Sequence, residues 1–189
     1  MSHMATEEAT TLDFLNEFMK HLMADARWTP KVQLERIVGP LLTPFIGELM
    51  TSLFDNHKTM VGQYKLICDE FPLKKDTNHQ STNADWLLFN AHTKELVLLE
   101  LKTNDHKPNG SQLSQYLALR QEASNDSSRL AARLLQNFND ICLKTNSKNK
   151  YQHQLTKLKQ NWPDETISGL KIVYLLPETA AKALRAIEF

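Results

Sequence analysis

Three charged residues interrupt a stretch that is otherwise almost entirely apolar. Asp85 lies in Asn83-Ala84-Asp85-Trp86-Leu87-Leu88-Phe89, and Glu100 and Lys102 close Glu95-Leu96-Val97-Leu98-Leu99-Glu100-Leu101-Lys102. Residues two apart on a strand share a face, so Glu100 and Lys102 project side by side. Unpaired charge is expensive in a buried strand, which separates this trio from ordinary surface charge. Two carboxylates offer hard oxygen ligands to Mg²⁺ or Mn²⁺, and the main-chain carbonyl of Leu101 emerges beside them as a further candidate ligand. A neighbouring lysine can orient a water, assist its deprotonation or stabilise developing charge. Together these groups suit hydrolysis of a phosphodiester, which needs an activated water and a neutralised phosphate.

The flanking sequence must bring the trio together. Asn90 to Lys94 is a short polar turn, so residues 83–89 and 95–102 are expected to form a hairpin that carries Asp85 towards Glu100. Strand 95–102 is apolar on both faces, Leu96 and Leu98 on one and Val97, Leu99 and Leu101 on the other, and is therefore expected to be central with helices on both sides. Upstream, Gln63–Phe71 reads as a first strand, and Pro72–Thr82 as a polar loop beside the site. Downstream, after a loop over Thr103–Gly110, Ser111 is expected to cap a helix. That helix carries Gln112 and Tyr116 four residues apart, hence on one face.

The remaining elements follow from periodicity. Leu12–Ala26 forms an amphipathic helix, and Trp28-Thr29-Pro30 breaks it. A second helical pattern over Lys31–Phe54 is interrupted by Pro40 and Pro44, with Thr43 as a fresh N-cap. Glu48 falls within or at the edge of that apolar stripe and can face the sheet as an additional metal ligand. Glu35 is its rival but lies further from the following strand. Helices are expected over about 128–143 and 150–162, then a strand Leu170–Leu176 ending at Pro177, then a terminal helix Thr179–Ile187. The order predicts an α/β fold in one domain from Met4 to Phe189, with four or five strands covered by helices. Met1-Ser2-His3 reads as a remnant of an expression tag.

Composition narrows the function classes. The 189 residues are 41% hydrophobic and 23% charged, ordinary for a soluble globular chain. Five glycines disfavour a Gly-rich nucleotide-binding architecture. The 22 basic and 22 acidic residues cancel, but Ile141–Pro163 contains no Asp or Glu and holds Lys144, Lys148, Lys150, Lys157 and Lys159. With Lys74 and Lys75 these are candidate phosphate contacts; the competing reading is a solvated helix face. Cys68 and Cys142 are expected to be buried free thiols, too few for a four-cysteine zinc or iron–sulfur site. No disulfide framework is implied, which fits a reducing cytosol, and no run approaches the length of a membrane span; a cytoplasmic protein is expected.

The series Asp85, Glu100-x-Lys102, Gln112-x-x-x-Tyr116 resembles the PD-(D/E)xK nuclease superfamily, in its RecB-like and Cas4-like branch. That resemblance implies a restriction-endonuclease-like fold with an αβββαβ core and a Mg²⁺- or Mn²⁺-dependent deoxyribonuclease. Asp85 and Glu100 would hold metal and Lys102 would assist water, with Gln112 and Tyr116 beside the active site. Glu48 would match the first-helix glutamate of many members. Ala84 replaces the proline before the aspartate. The cysteines of iron–sulfur members are missing, so no such cluster is expected, and any motor would be a separate chain. The alternative is a catalytically silent nuclease fold that binds nucleic acid or a protein partner. A third option is a subunit that dimerises through the Leu12–Met23 stripe.

Overall fold

The computed structural model describes residues 17, 38–74, 81–102, 110–144, 148–177 and 184–188. Apart from Glu17, which is helical, the expected Leu12–Ala26 helix lies outside these residues, as do Glu35, Lys75 and the 103–109 loop.

Residues 38–42 are helical, Thr43–Phe45 forms a 3₁₀ turn, and α1 follows at Ile46–Leu53. Pro44 occupies the first positions of the 3₁₀ turn, where its missing N–H costs nothing. Thr43 does not cap it. Its hydroxyl donates back to the Gly39 carbonyl at 2.9 Å and accepts the indole N–H of Trp86 at 2.9 Å. The expected cap is thus spent on tying this corner to the sheet. Ile46, Leu49 and Met50 are the buried face of α1.

Five strands form one mixed sheet in chain order: β1 Tyr64–Lys74, β2 Ser81–Asn90, β3 Glu95–Leu101, β4 Gly169–Pro177 and β5 Leu184–Glu188. All neighbours are antiparallel except β3 and β4. The crossover between these two consists of α2 Gly110–Asn125, α3 Ser127–Lys144 and α4 Lys148–Asn161. A parallel pair requires a long crossover of this kind.

The central strand β3 has the two apolar faces expected of it. Leu96 and Leu98 join a core with Tyr116, Leu130, Leu134, Phe138 and Leu158 from the crossover helices. Val97, Leu99 and Leu101 join a second core with Ile46, Leu49 and Met50 of α1. The β2–β3 turn is held by Asn90, whose Oδ1 accepts the main-chain N–H groups of His92 and Thr93 at 2.9 and 3.2 Å. Its Nδ2 donates to the carbonyls of Met60 and Val61. Gly62, at φ +146°, lies so close to Asn90 that a Cβ there would overlap its Oδ1. A side chain at Gly62 would therefore disturb the turn that sets the β2–β3 register.

Three expectations are corrected. The Pro72–Thr82 loop is shorter, because Pro72, Leu73 and Lys74 pair with Asn83, Thr82 and Ser81 and extend the β1–β2 hairpin. Pro72 is tolerated because β1 is an edge strand. The terminal helix is replaced, over 184–188, by β5, antiparallel to β4. The helix after β3 also begins at Gly110, ahead of the cap expected at Ser111. Among the described residues, no helix is long and apolar enough to cross a membrane.

Candidate metal centre

The sheet register assembles the site. β2 pairs with β3 through Trp86 opposite Leu99, and one further step sets Asp85 opposite Glu100. β3 pairs with β4 with Glu100 opposite Tyr174. Between the pairs Asp69–Trp86 and Phe71–Ala84, the same register sets Glu70 beside Asp85. Four adjacent strands thus contribute Glu70, Asp85, Glu100 and Tyr174 at one level. Glu70 has a positive φ of 50°, a strained conformation for a side-chain-bearing residue in a strand.

Glu100 is 2% exposed, and both its oxygens are occupied. Oε1 accepts from the Gln112 amide and from the Tyr116 hydroxyl, the latter at 2.5 Å. Oε2 lies 3.4 Å from Lys102 Nζ. The Gln112 amide also donates to the Tyr116 hydroxyl at 2.8 Å and to the Asn83 carbonyl at 3.2 Å. The four-residue spacing of Gln112 and Tyr116 therefore aims both side chains of α2 at one carboxylate oxygen.

Asp85 is half-buried, and its Oδ2 accepts the main-chain N–H of Leu101 at 2.7 Å. The next amide, of Lys102, turns the other way and donates to the Leu175 carbonyl at 2.8 Å. In an extended strand the N–H and C=O of one residue leave on the same side, so the Leu101 carbonyl points towards the Asp85 edge.

Electrostatics couples the two acids. Burial pushes the Glu100 carboxyl up to about 8, and the Asp85 charge adds to this; Lys102 and the Tyr116 hydrogen bond oppose it. Burial also raises Asp85, opposed by hydrogen bonds from the Leu101 amide and Glu100 and by the Lys102 charge. The charge on Asp85 disfavours ionisation of Glu100, so the two carboxyls do not ionise independently. Two desolvated acids that oppose each other's charge would be relieved by a divalent cation, for which Asp85 and Glu100 would be ligands. The phenols of Tyr116 and Tyr174 are both pushed up by burial and then by the Glu100 charge, so both stay neutral.

The donor set fits Mg²⁺ or Mn²⁺: two carboxylates and a main-chain carbonyl are all hard oxygen ligands, and Mg²⁺ keeps several waters in sites of few protein ligands. Among the described residues, no three His, Cys, Asp or Glu side chains gather into a fuller cage. Glu48, expected as an additional ligand, is exposed in the first turn of α1, while its neighbours Leu49 and Met50 turn inward. Among the described residues it makes no hydrogen bond or ion pair with Asp85, Glu100 or Lys102.

The candidate phosphate contacts divide. Lys157 and Lys159 are exposed on α4, and Lys157 lies 3.8 Å from Asp69 of β1. Lys74 ends β1, Lys144 ends α3, and Lys148 and Lys150 begin α4; their side chains, and Lys75 altogether, lie outside the described residues. Cys68 and Cys142 are free thiols; Cys68 is buried, whereas Cys142 is only half-buried.

Sequence reasoning missed three residues. Asn83 offers its carbonyl to Gln112 and donates its side-chain amide to Glu70 at 3.1 Å. Glu70 adds a negative charge near Asp85. Tyr174 stands level with Glu100 on β4. The only signals were an acid and a phenol inside apolar strands, and neither is specific. Comparison with protein-family models, curated proteins and solved structures finds no match.

Proposed function

We propose that this chain is a Mg²⁺- or Mn²⁺-dependent deoxyribonuclease of the PD-(D/E)xK type, with the restriction-endonuclease-like fold. The observation that carries the reading is the Asp85–Glu100 pair, with Lys102 on one Glu100 oxygen and Gln112 and Tyr116 on the other. A purely packing role would not favour a buried carboxylate with Tyr116 and three half-buried polar side chains gathered around it, because desolvation of such groups is costly. The mixed α/β architecture and the order of strands and helices agree with the αβββαβ core that the resemblance implies.

Asp85, Glu100 and the Leu101 carbonyl would hold the cation. When bound, the cation supplies Lewis acidity that makes water nucleophilic at neutral pH and neutralises charge on the scissile phosphate. Lys102 orients the attacking water and stabilises developing charge. Gln112 and Tyr116 keep Glu100 Oε1 engaged, so that Oε2 stays turned towards Lys102. Lys157 and Lys159 offer positive charge to a nucleic-acid backbone.

Cleavage of plasmid and single-stranded DNA in Mg²⁺, Mn²⁺ or EDTA tests this. Metal-dependent cleavage that Lys102→Ala reduces by about 100-fold or more is expected. Cleavage that is absent, survives EDTA, or is unchanged in Lys102→Ala overturns it. DNA binding without cleavage would instead favour the silent binding fold.

A further inference from the structure

Resting on the nuclease reading above, we propose that Asn83 is a positioning residue for the metal centre: it ties Glu70 of the edge strand to the Gln112–Tyr116 pair of α2, and so sets where that pair grips Glu100. Each link is a contact in the structure. The Asn83 side-chain amide donates to Glu70 Oε2 at 3.1 Å. The Asn83 main-chain carbonyl accepts the Gln112 amide at 3.2 Å, and the Tyr116 hydroxyl lies 3.4 Å from it. Gln112 and Tyr116 in turn both donate to Glu100 Oε1. A side-chain amide carries two hydrogens. With one held by the Asn83 carbonyl, the plane of the Gln112 amide is set and the other hydrogen is directed at the Glu100–Tyr116 pair.

The sequence around Asn83 suits this role. Its register partner on β1 is Pro72, which has no N–H to give to the Asn83 carbonyl. Packing alone does not call for an asparagine here. The Asn83 Oδ1 is buried and accepts no hydrogen bond among the described residues, a cost that an apolar side chain would avoid. At the other end of the chain of contacts, Glu70 has a φ of 50°, which a side-chain-bearing residue keeps only where its surroundings hold it. The bond from Asn83 is one such hold. Residues behind metal ligands commonly fix them through contacts of this kind.

The test is Mn²⁺ affinity by calorimetry on the full chain, alongside kcat and KM for DNA cleavage. Asn83→Ala removes the bond to Glu70, and a loss of about tenfold in Mn²⁺ affinity and in kcat, with KM for DNA unchanged, is expected. Asn83→Asp sets two carboxylates against each other and should lose as much. Adding Glu70→Gln to Asn83→Asp exchanges donor and acceptor and restores both the bond and the wild-type charge. The double variant should therefore recover most of the loss, which a general destabilisation would not do. Wild-type affinity in Asn83→Ala, or no recovery in the double variant, overturns the proposal. Glu70→Gln alone keeps an acceptor for the Asn83 amide, whereas Glu70→Ala does not, so Glu70→Ala should lose more. Equal losses in the two would assign the effect to the Glu70 charge and overturn the proposal as well. If the wild type binds Mn²⁺ but cuts no DNA, the nuclease reading fails while the affinity comparison still decides the role of Asn83. If the wild type binds no Mn²⁺, both fall. Should the Asn83 variants fail to fold, the two Glu70 variants, at an exposed position of the edge strand, give the decision.

Discussion

Asp85 holds the main-chain amide of Leu101 at 2.7 Å, so one carboxylate serves both the backbone and the candidate metal centre. The two roles can be separated by substitution. Asp85→Asn keeps an oxygen to accept the Leu101 N–H but loses the charge, whereas Asp85→Ala strands the amide. Asp85→Ala is expected to be less stable than Asp85→Asn by about 1–3 kcal/mol, the cost of an unmet buried donor. Both should lose metal-dependent cleavage. Urea unfolding beside a cleavage assay checks this, and equal stabilities would show that the Leu101 bond is unimportant.

The raised carboxyls of Glu100 and Asp85 predict a pH dependence. The folded chain favours protonated Glu100, whose carboxyl titrates near 8 rather than at its ordinary 4.5. Its contribution to stability is therefore whole below 4.5 and is lost as pH rises through about 8, and the raised Asp85 acts in the same direction. The metal-free chain should melt at lower temperature at about pH 9 than at about pH 6, and Glu100→Gln should flatten that slope. Mg²⁺ should restore stability at the higher pH, since the cation takes the place of the proton. Thermal unfolding with and without Mg²⁺ measures both effects.

Gln112 and Tyr116 act on one oxygen, so their effects should not add. Tyr116→Phe removes a hydrogen bond to Glu100 Oε1 and should cost about 1–3 kcal/mol of stability. Cleavage should fall by about tenfold. Gln112→Ala should behave similarly, and the double variant should lose less than the sum, because the two donors share an acceptor and a mutual hydrogen bond. A double-mutant cycle in stability and rate measures the coupling.

Lys157 and Lys159 give a separate readout. If they meet phosphates, Lys159→Ala should weaken DNA binding and lower the salt slope by about one. Lys157→Ala should weaken binding too, but it also releases Asp69. Unchanged affinity at two salt concentrations would assign this face of α4 to solvent alone.

The hairpin was readable because its signals are local. Alternating apolar faces mark β3 as central, and the polar turn at Asn90–Lys94 sets a register that carries Asp85 to Glu100. Gln112 and Tyr116 were readable because helical spacing fixes their shared face. What failed depended on tertiary context. Pro72 marks a loop in isolation yet sits in an edge strand, and Leu184–Glu188 lacks a strong strand pattern but pairs with β4. Glu48 was ambiguous because its phase depends on the junction at Thr43-Pro44, where the 3₁₀ turn resets the helix. Glu70, Asn83 and Tyr174 join through cross-strand neighbours, which one-dimensional spacing does not reveal.

The adjacent amides of Leu101 and Lys102 also bear on how the chain folds. The first closes a short loop, reaching Asp85 only sixteen residues away, while the second waits for Leu175, beyond three helices. Closing the larger loop costs more entropy, and distant pairings form later. We expect both carboxylates to meet before β4 docks. In pulsed hydrogen exchange during refolding, the Leu101 amide should gain protection ahead of the Lys102 amide; simultaneous protection would refute that order.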